Sequence, residues 1–351
     1  MSKIDYIAKV EGLVGKSFSN LEEAKQASER KLILLKNIFA EGSLTSLDTS
    51  IVVFGSIARK ECTTKSDLDW QFLIDGQAKS TYQDIPRQIK ETLAKYPDEF
   101  VDPNATGHFG KMGFSHDLIH FIGGENDSNA NLSSRMLLIL ESISIGNTEA
   151  YQRILKGIFE RYLEEEVHIA HNGLYKVPRF LLNDIVRFWR TMAVDFARKQ
   201  RERGGEGWGI RNIKLRMSRK LIFVSGLLMV FNCSKEAVGS EKESYQRFAL
   251  QEYLMSYTTM TPLEIIARSI IEYSIDSQIG SDIFESYDAF LEMLNSEDKR
   301  TELSGLKAMT ATENKTFKNA IIYCDRFEKA LDTLFFETDC YQHITRKYAV
   351  F

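Results

Sequence analysis

The sequence lacks the features that mark secreted, membrane-spanning and zinc-binding proteins. Its four cysteines are spread over 351 residues, and no two lie close enough to form a CxxC or zinc-ligand pair. We therefore expect reduced thiols, as is usual in the cytoplasm. The first residues are charged and hold no apolar core of signal-peptide length. The longest apolar stretch, residues 221–231, is too short to span a bilayer, so we predict a cytoplasmic protein with no membrane contact.

An excess of charge of one sign is also missing. The chain has 45 Lys and Arg against 49 Asp and Glu, which gives a formal net charge of −4. Such a balance excludes a general attraction to nucleic acid, so a polyanion site requires a local cluster of cations. Proline is scarce: three of the five prolines lie between residues 86 and 103, and the stretch 97–113, which also holds three glycines, is predicted to be rich in loops.

Strand signals are confined to the first part of the chain. Residues 50–54 and 69–74 are short apolar runs that end in turn residues, which is typical of strands. Residues 20–40 and 82–96 have helical spacing. The apolar run 135–142 fits a buried strand or part of a helix, because periodicity alone does not separate the two.

From residue 148 onward, helical spacing replaces the strand signals. Elements that change type in blocks indicate separate domains, and the length of the chain also favours two. We predict an α+β fold for residues 1–147, with a small mixed sheet flanked by helices. An all-α helical domain is predicted for residues 148–351.

The segment from Ile51 to Trp70 carries the chemistry. A predicted strand ends in Gly55-Ser56, ten residues intervene, and Asp67-Leu68-Asp69 enters a second predicted strand. A glycine lets the backbone approach a phosphate, and the serine hydroxyl and nearby free amides can donate to phosphate oxygens. Aspartates two apart on a strand point to one face, where they repel each other unless a divalent cation neutralises them. The pattern predicts magnesium-dependent chemistry on a bound triphosphate.

The fuller pattern is Gly55-Ser56-x-Ala58-Arg59-x-Glu61-x(4)-Ser66-Asp67-x-Asp69. It resembles the signature of the DNA polymerase β-type nucleotidyltransferase superfamily, and is similar to the version in bacterial protein uridylyl- and adenylyltransferases. This motif covers about 20 residues, and a looser resemblance extends to about residue 147.

The resemblance implies transfer of a nucleoside monophosphate from an NTP to an acceptor hydroxyl, with release of pyrophosphate. It implies that residues 1–147 are the catalytic domain and that Asp67 and Asp69 hold two Mg²⁺ ions, with Mn²⁺ as an alternative. The expected nucleotide-binding residues of this domain are Gly55, Ser56, Arg59 and Ser66.

Members of this superfamily usually need a third acidic residue, on a later strand, to complete the metal site. Glu141 is the first choice, because it ends an apolar run shortly before the Gly146-Asn147 turn, although the superfamily more often has Asp at this place. Asp117 is the second choice, and its alternative role is that of a carboxylate in the first turn of a helix.

The densest cluster of cations lies at residues 198–220, which hold nine Lys or Arg and two Glu. Apolar residues repeat there at spacings of three and four, so one helix face belongs to the core and the basic side chains occupy other faces. A triphosphate needs several cations besides magnesium. We therefore predict that this helix closes over the nucleotide, with a solvated basic face as the alternative. Its predicted nucleotide-binding residues are Lys214, Arg216, Ser218 and Arg219.

Asp184 and Arg187 are three residues apart on a predicted helix. They are expected to belong to a structural polar network, with recognition of a base or ribose as the alternative.

The leading hypothesis is a nucleotidyltransferase whose acceptor the sequence does not identify; a protein or an RNA is favoured. The second hypothesis is a catalytically incomplete module that binds nucleotide and regulates a partner. The third is a helical ribonuclease of the HEPN type, which depends only on a loose Arg-x(4–6)-His pattern at Arg161 and His168.

Overall fold

The computed structural model describes residues 4–40, 44–63, 66–101, 109–167, 177–202, 204–236 and 243–348. Within these ranges the protein is mixed α/β, with one small four-stranded sheet and many helices. No helix in these ranges is both long and apolar enough to cross a membrane. The strands are β1 (Thr49–Phe54), β2 (Asp69–Ile74), β3 (Lys111–Phe114) and β4 (Ser142–Ile145).

The helices follow in chain order, and two of the short ones, α3 and α5, directly continue strands. They are α1 (Tyr6–Val14), α2 (Ser19–Ala40), α3 (Gly55–Ala58), α4 (Ile85–Leu93), α5 (Ser115–Ile119), α6 (Asn129–Leu140), α7 (Glu149–Val167), α8 (Arg179–Glu202), α9 (Trp208–Lys214), α10 (Lys220–Glu236), α11 (Glu243–Tyr257), α12 (Pro262–Glu272), α13 (Ser277–Asn295), α14 (Glu297–Gly305), α15 (Ala308–Ala311), α16 (Lys315–Phe336) and α17 (Gln342–Tyr348).

The chain forms two compact units, and each is assembled from separated segments. The first unit contains Met1–Ala24, Ile185–Asn232 and Pro262–Phe351. The second contains Lys25–Asp184 and Cys233–Thr261, and therefore includes the whole sheet. The boundary predicted at residue 147 falls inside the second unit and stays a prediction.

The strand order of the sheet brings three chain segments to one end. The order is β3-β2-β1-β4, with β1 antiparallel to both of its neighbours and β3 parallel to β2. Phe54, the last residue of β1, lies opposite Asp69 on one side and Ser142 on the other. The end of β1, the start of β2 and the start of β4 therefore meet at the same edge.

One face of the sheet packs against α2 and α4. Alternate strand residues point to this face, since side chains of a strand alternate between its two sides. Burying each of the larger apolar side chains contributes roughly 1.5–3 kcal/mol to stability. This layer therefore holds the strands in place against the two helices. The buried residues include Ile51, Val53, Trp70, Phe72 and Ile74 from the sheet, Leu32, Leu35 and Phe39 from α2, and Ile89 and Leu93 from α4.

The opposite face packs against α7 through polar contacts. The Ser50 hydroxyl donates to the Asn147 carbonyl at 2.6 Å and accepts from the Tyr151 amide at 3.2 Å. The Tyr151 hydroxyl lies 3.1 Å from the Ser142 hydroxyl. Burial raises the pKa of Tyr151 to about 12, so this hydroxyl stays neutral and can act as a donor. These bonds attach the start of α7 to β1 and β4.

The apolar run 135–142, for which a strand and a helix were both possible, is mainly helical. Ser128 caps α6 by accepting from the Asn131 amide, and the run continues this helix as far as Leu140. The strand β4 begins only at Ser142, and it pairs with β1 and not with β2. The resemblance implies a third carboxylate on a later strand, but Glu141 lies at the junction of a helix and a strand. The helical predictions from residue 148 onward are confirmed within the described ranges.

A buried ionic network joins α6, α7 and the start of α8 in the second unit. Arg135 is fully buried and donates to both oxygens of Asp127, at 3.1 and 2.9 Å. It also donates to Asp184 at 2.9 Å and to the Tyr162 hydroxyl at 2.7 Å. Tyr162 in turn donates to Asp184 at 2.6 Å, and burial raises its pKa well above the usual value. Asp184 therefore belongs to a structural polar network, as expected, and its partners Arg135 and Tyr162 come from α6 and α7.

Candidate functional site

Gly55 forms the turn between β1 and α3 and lies against the carboxylate of Asp69. Its φ of +70° is in the left-handed region, which costs an L-residue about 1–2 kcal/mol. A Cβ at this position would lie 3.1 Å from Asp69 Oδ2, closer than most such contacts. The backbone conformation and the close approach of Asp69 therefore both favour glycine. The absence of a Cβ leaves space beside the Asp69 carboxylate.

The turn after Gly55 closes as a helix C-terminal motif. The Arg59 amide donates to the Gly55 carbonyl at 2.9 Å, and the Glu61 amide donates to the Ser56 carbonyl at 2.7 Å. Lys60 adopts the left-handed conformation between them, with φ of +58°, as is common for the residue that follows a helix. This tight reversal brings the side chains of Arg59 and Glu61 together beside the end of β1.

Asp67 and Asp69 differ in their surroundings. Asp69 is half-buried and is the first residue of β2, whereas Asp67 is exposed and precedes the strand. The prediction that both aspartates lie on one face of a strand is therefore wrong for Asp67, because only Asp69 belongs to β2. Between them, Leu68 is buried and its amide donates to the Val101 carbonyl at 3.1 Å, which fixes the backbone of this pair.

Ser66 has a local role in the loop before the aspartates. Its hydroxyl accepts from the Thr63 amide at 2.9 Å, and its own amide donates to the Thr63 carbonyl at 3.1 Å. These two bonds hold Ser66 and Thr63 together. The contacts describe a loop-closing residue, and binding of nucleotide by Ser66 stays a prediction.

Glu141 and Glu61 both bind Arg59. The Arg59 Nε atom donates to Glu61 Oε2 at 2.9 Å, and its Nη1 atom donates to Glu141 Oε2. The side chains are almost buried, with exposed fractions of 10% for Arg59, 2% for Glu61 and 7% for Glu141. Two carboxylates share one guanidinium, so the group has a formal charge of −1. Glu61 belongs to the motif, but its spacing alone does not predict that it pairs with Arg59.

The strand register places Glu141 at the same edge of the sheet as Asp69. Glu141 precedes Ser142, which is separated from Asp69 by Phe54 alone in the pairing. Two strand spacings amount to about 10 Å between backbones, a distance that two acidic side chains and a cation between them can bridge. Glu141 is therefore at the expected edge, but its carboxylate contacts Arg59.

Asp117 lies at the other end of the sheet. It belongs to α5, which follows β3, and β3 ends beside the last residue of β2 in the pairing Ile74↔Phe114. Asp69 is the first residue of β2, so the length of that strand, roughly 16 Å, separates the two places. The second choice for the third carboxylate does not fit this topology.

The acidic residues fit a divalent cation only in part. Asp69 offers an oxygen beside the open space at Gly55, and Asp67 offers an exposed carboxylate; magnesium prefers such ligands. Among the residues that the structure describes, no three His, Cys, Asp or Glu side chains are grouped as ligands of one ion. Glu141 would join the aspartates only if Arg59 released it.

The predicted basic cluster belongs to the first unit, and several of its cations contact acids. Arg216 donates to Asp325 at 2.5 Å and to Glu328 at 3.0 Å, and Lys220 lies 2.7 Å from Glu328. Hydrogen bonds from Lys220 and Arg216 hold the pKa of Glu328 below its usual value. Arg216 is therefore neutralised by two carboxylates, which weakens its case as a phosphate ligand.

The other predicted residues of this segment surround a π-helical turn. Leu215–Arg219 forms the turn between α9 and α10, where the helix widens by one residue. The Ser218 hydroxyl donates to the Lys214 carbonyl at 3.1 Å and so serves the helix itself. Lys214 and Arg219 are half-buried. Binding of nucleotide by these residues stays a prediction.

The residues of the ribonuclease hypothesis are only partly described. Arg161 lies on α7, with its guanidinium 4.0 Å from Glu164. His168 lies outside the described residues, so the structure adds nothing to that hypothesis.

Gly55→Ala is expected to lower the free energy of unfolding by about 1–2 kcal/mol, because an L-residue is strained at this φ. It should also weaken Mn²⁺ binding, because the new methyl group displaces the Asp69 carboxylate. Gly123 is the matched control: its φ is +73° and a Cβ there meets nothing within 4 Å. Urea denaturation and Mn²⁺ titration of both variants test this expectation. Equal Mn²⁺ affinity in the two variants would contradict it.

Neither the models of protein families nor the curated proteins include a match to the chain.

Proposed function

We propose that this chain is a nucleotidyltransferase, which transfers a nucleoside monophosphate from an NTP to an acceptor hydroxyl and releases pyrophosphate. The observation that carries the proposal is the contact between Gly55 and Asp69. A strand, a glycine turn with positive φ and a carboxylate from the neighbouring strand lie together, as the motif requires. A divalent cation, Mg²⁺ or Mn²⁺, would be held by Asp67, Asp69 and Glu141. When bound, it would polarise the triphosphate and lower the pKa of the acceptor hydroxyl.

The protein's own residues bind and orient the substrates in this proposal. Gly55 leaves room for phosphate oxygens, and the Ser56 hydroxyl and Arg59 donate to them. A carboxylate at the edge of the sheet accepts the proton of the acceptor hydroxyl. The acceptor is a protein or an RNA. The four cysteines are free and three of them are buried, which favours a reducing compartment such as the cytoplasm.

A second candidate function is a catalytically incomplete nucleotide-binding module. The observation that favours it is the pairing of Glu141 with Arg59, which leaves two carboxylates near Gly55. The two functions are separated by incubating the protein with Mg²⁺, cell lysate and each labelled NTP, and then identifying the molecule that carries label. Labelled acceptor supports the transferase, whereas bound but untransferred nucleotide supports the module.

The segment around the π-helical turn is expected to add to triphosphate affinity. A charge-assisted hydrogen bond contributes roughly 1.5–3 kcal/mol, so Lys214→Ala or Arg219→Ala should weaken NTP binding by about 1–3 kcal/mol. Arg198→Ala is the control, because Arg198 is exposed in the same basic segment and pairs with Asp195 and Glu202. Calorimetry at low salt measures the affinities. Unchanged affinity in both variants would assign these residues to a solvated face.

A further inference from the structure

The second half of α8 carries large apolar side chains but has no buried residue. Burial along this helix ends at Phe188, and every residue from Trp189 to Glu202 is half-buried or exposed. Trp189 and Phe196 are seven residues apart, which is about two helix turns, so they lie on the same face. Apolar side chains of a helix are ordinarily covered, and a face that keeps them accessible is typical of a surface for a partner.

Trp189 belongs to an aromatic stack that a further ring can extend. Its indole lies against the Phe223 ring of α10, with ring centroids 5.3 Å apart and planes inclined by 19°. Both residues belong to the first unit, and both are half-buried. Because Phe223 covers one face of the indole, another ring can stack on the opposite face. A nucleobase is such a ring, and proteins bind unpaired bases by stacking them on aromatic side chains.

A row of exposed residues with two arginines, the arginine row, lies on the neighbouring face of α8. It consists of Arg190, Val194, Ala197 and Arg201, which follow one another at spacings of three and four and are all exposed. In the part of the chain that the structure describes, neither arginine forms an ion pair. The two arginines are eleven residues apart, which corresponds to roughly 16 Å along the helix.

The acidic side chains in this half of α8 are already paired with cations. Asp195 lies 2.8 Å from Arg198 and 2.7 Å from Lys199, and Glu202 lies 3.1 Å from Arg198. The arginine row therefore adds two positive charges that no acid of this half offsets. The whole chain has a net charge of −4, so this is a local excess of positive charge beside an aromatic stack. Such an excess favours a polyanion as the partner.

We infer that the second half of α8 binds single-stranded nucleic acid through these two faces. Bases stack on Trp189 and Phe196, and phosphates lie along the arginine row, whose length several nucleotides of one strand span. A duplex fits poorly, because its bases are already paired and stacked and do not reach the indole. An acidic peptide supplies the charge but no row of rings. The inference goes beyond the proposed function, since binding of a strand needs neither a metal nor transfer.

Fluorescence anisotropy with the full chain tests this inference. The probes are labelled oligouridylate and oligothymidylate of about 20 nucleotides, since a strand-binding surface covers roughly 4–16 nucleotides, and an RNA duplex of the same length. Wild type should bind at least one single strand about tenfold more tightly than the duplex. The ratio of the two single-strand affinities then distinguishes RNA from DNA as the ligand.

Variants of the two faces separate stacking from charge. Trp189→Leu should weaken binding of the single strand about tenfold or more, because a base–aromatic stack is lost. Tyr323→Leu is its control, since Tyr323 is an exposed aromatic residue of α16. Arg190→Gln and Arg201→Gln should each make the slope of log Kd against log salt shallower by about 0.7, as for loss of one phosphate contact with a single strand. Arg87→Gln, which removes an exposed arginine of α4, should leave the slope unchanged.

Tryptophan emission shows directly whether a base stacks on Trp189. The single strand should quench the emission of wild type, whereas Trp189→Phe keeps a ring, and therefore most of the affinity, but loses this quenching.

Failure of wild type to bind either single strand at low salt, or equal affinity of wild type and Trp189→Leu, would overturn the inference. Displacement of the strand by an equal charge concentration of polyglutamate would also overturn it and assign the face to an acidic protein. A dimer that Trp189→Leu dissociates would assign the face to a second copy of the chain.

Discussion

Asp69→Asn is expected to abolish nucleotidyl transfer, with a loss of about a thousandfold or more, as for removal of a group that stabilises transition-state charge. Asp69 is the carboxylate that lies against Gly55, and the strand pairing specifies its position. The substitution removes the charge and adds no bulk. The fold should be unaffected, and weaker repulsion from Asp67 should keep or raise the melting temperature without metal.

Two variants complete this experiment. Asp67→Asn should also abolish transfer, because the proposed cation needs both charges. Asp117→Asn is the matched control: Asp117 is also half-buried but lies at the other end of β2, and its loss should leave activity unchanged. Initial rates of pyrophosphate release compare the three. A comparable loss in Asp117→Asn would return that residue to the site and contradict the role given to the sheet edge.

Arg135→Gln is expected to have the largest effect on stability, lowering the free energy of unfolding by about 3–5 kcal/mol. The guanidinium is fully buried and binds Asp127, Asp184 and Tyr162 together. Its removal takes a countercharge away from two buried carboxylates. The cost is then dominated by desolvated charge and exceeds that of the lost hydrogen bonds.

Urea denaturation measures this effect against Arg153→Gln, which removes an exposed arginine from Asp75 and should cost no more than about 1 kcal/mol. Adding Asp184→Asn to Arg135→Gln should restore part of the stability, because one buried charge is removed. Equal stability of Arg135→Gln and Arg153→Gln would contradict the assignment of a structural network. The prediction is independent of the proposed enzymatic function.

Two of the four strands could be read from the sequence. The strand predicted at 69–74 is the observed β2, and the one at 50–54 differs from β1 by a single residue at its start. Both are short apolar runs between turn residues, so local signals suffice. The approach of Gly55 to Asp69 follows from the antiparallel pairing of β1 and β2, which sets the end of the first strand beside the start of the second.

The contacts of the third carboxylate could not be read in the same way. An apolar run of five residues fits a buried helix as well as a strand, and the cap at Ser128 that decides for a helix lies outside the run. The pairing of Arg59 with Glu141 joins segments far apart in the chain, which no local pattern reveals. The pairing of Arg216 with Asp325 has the same cause, and it turns an apparently free cation into a paired one.

The fate of the two ends of a labelled triphosphate tests the central claim most directly. Each NTP, labelled at the α- or the γ-phosphate, is incubated with Mg²⁺, cell lysate and either the wild-type protein or Asp69→Asn. The proposed function predicts that one NTP or more gives α-label on an acceptor and γ-label in pyrophosphate, with wild type only. Absence of both products from all four NTPs, or equal labelling by Asp69→Asn, would contradict it.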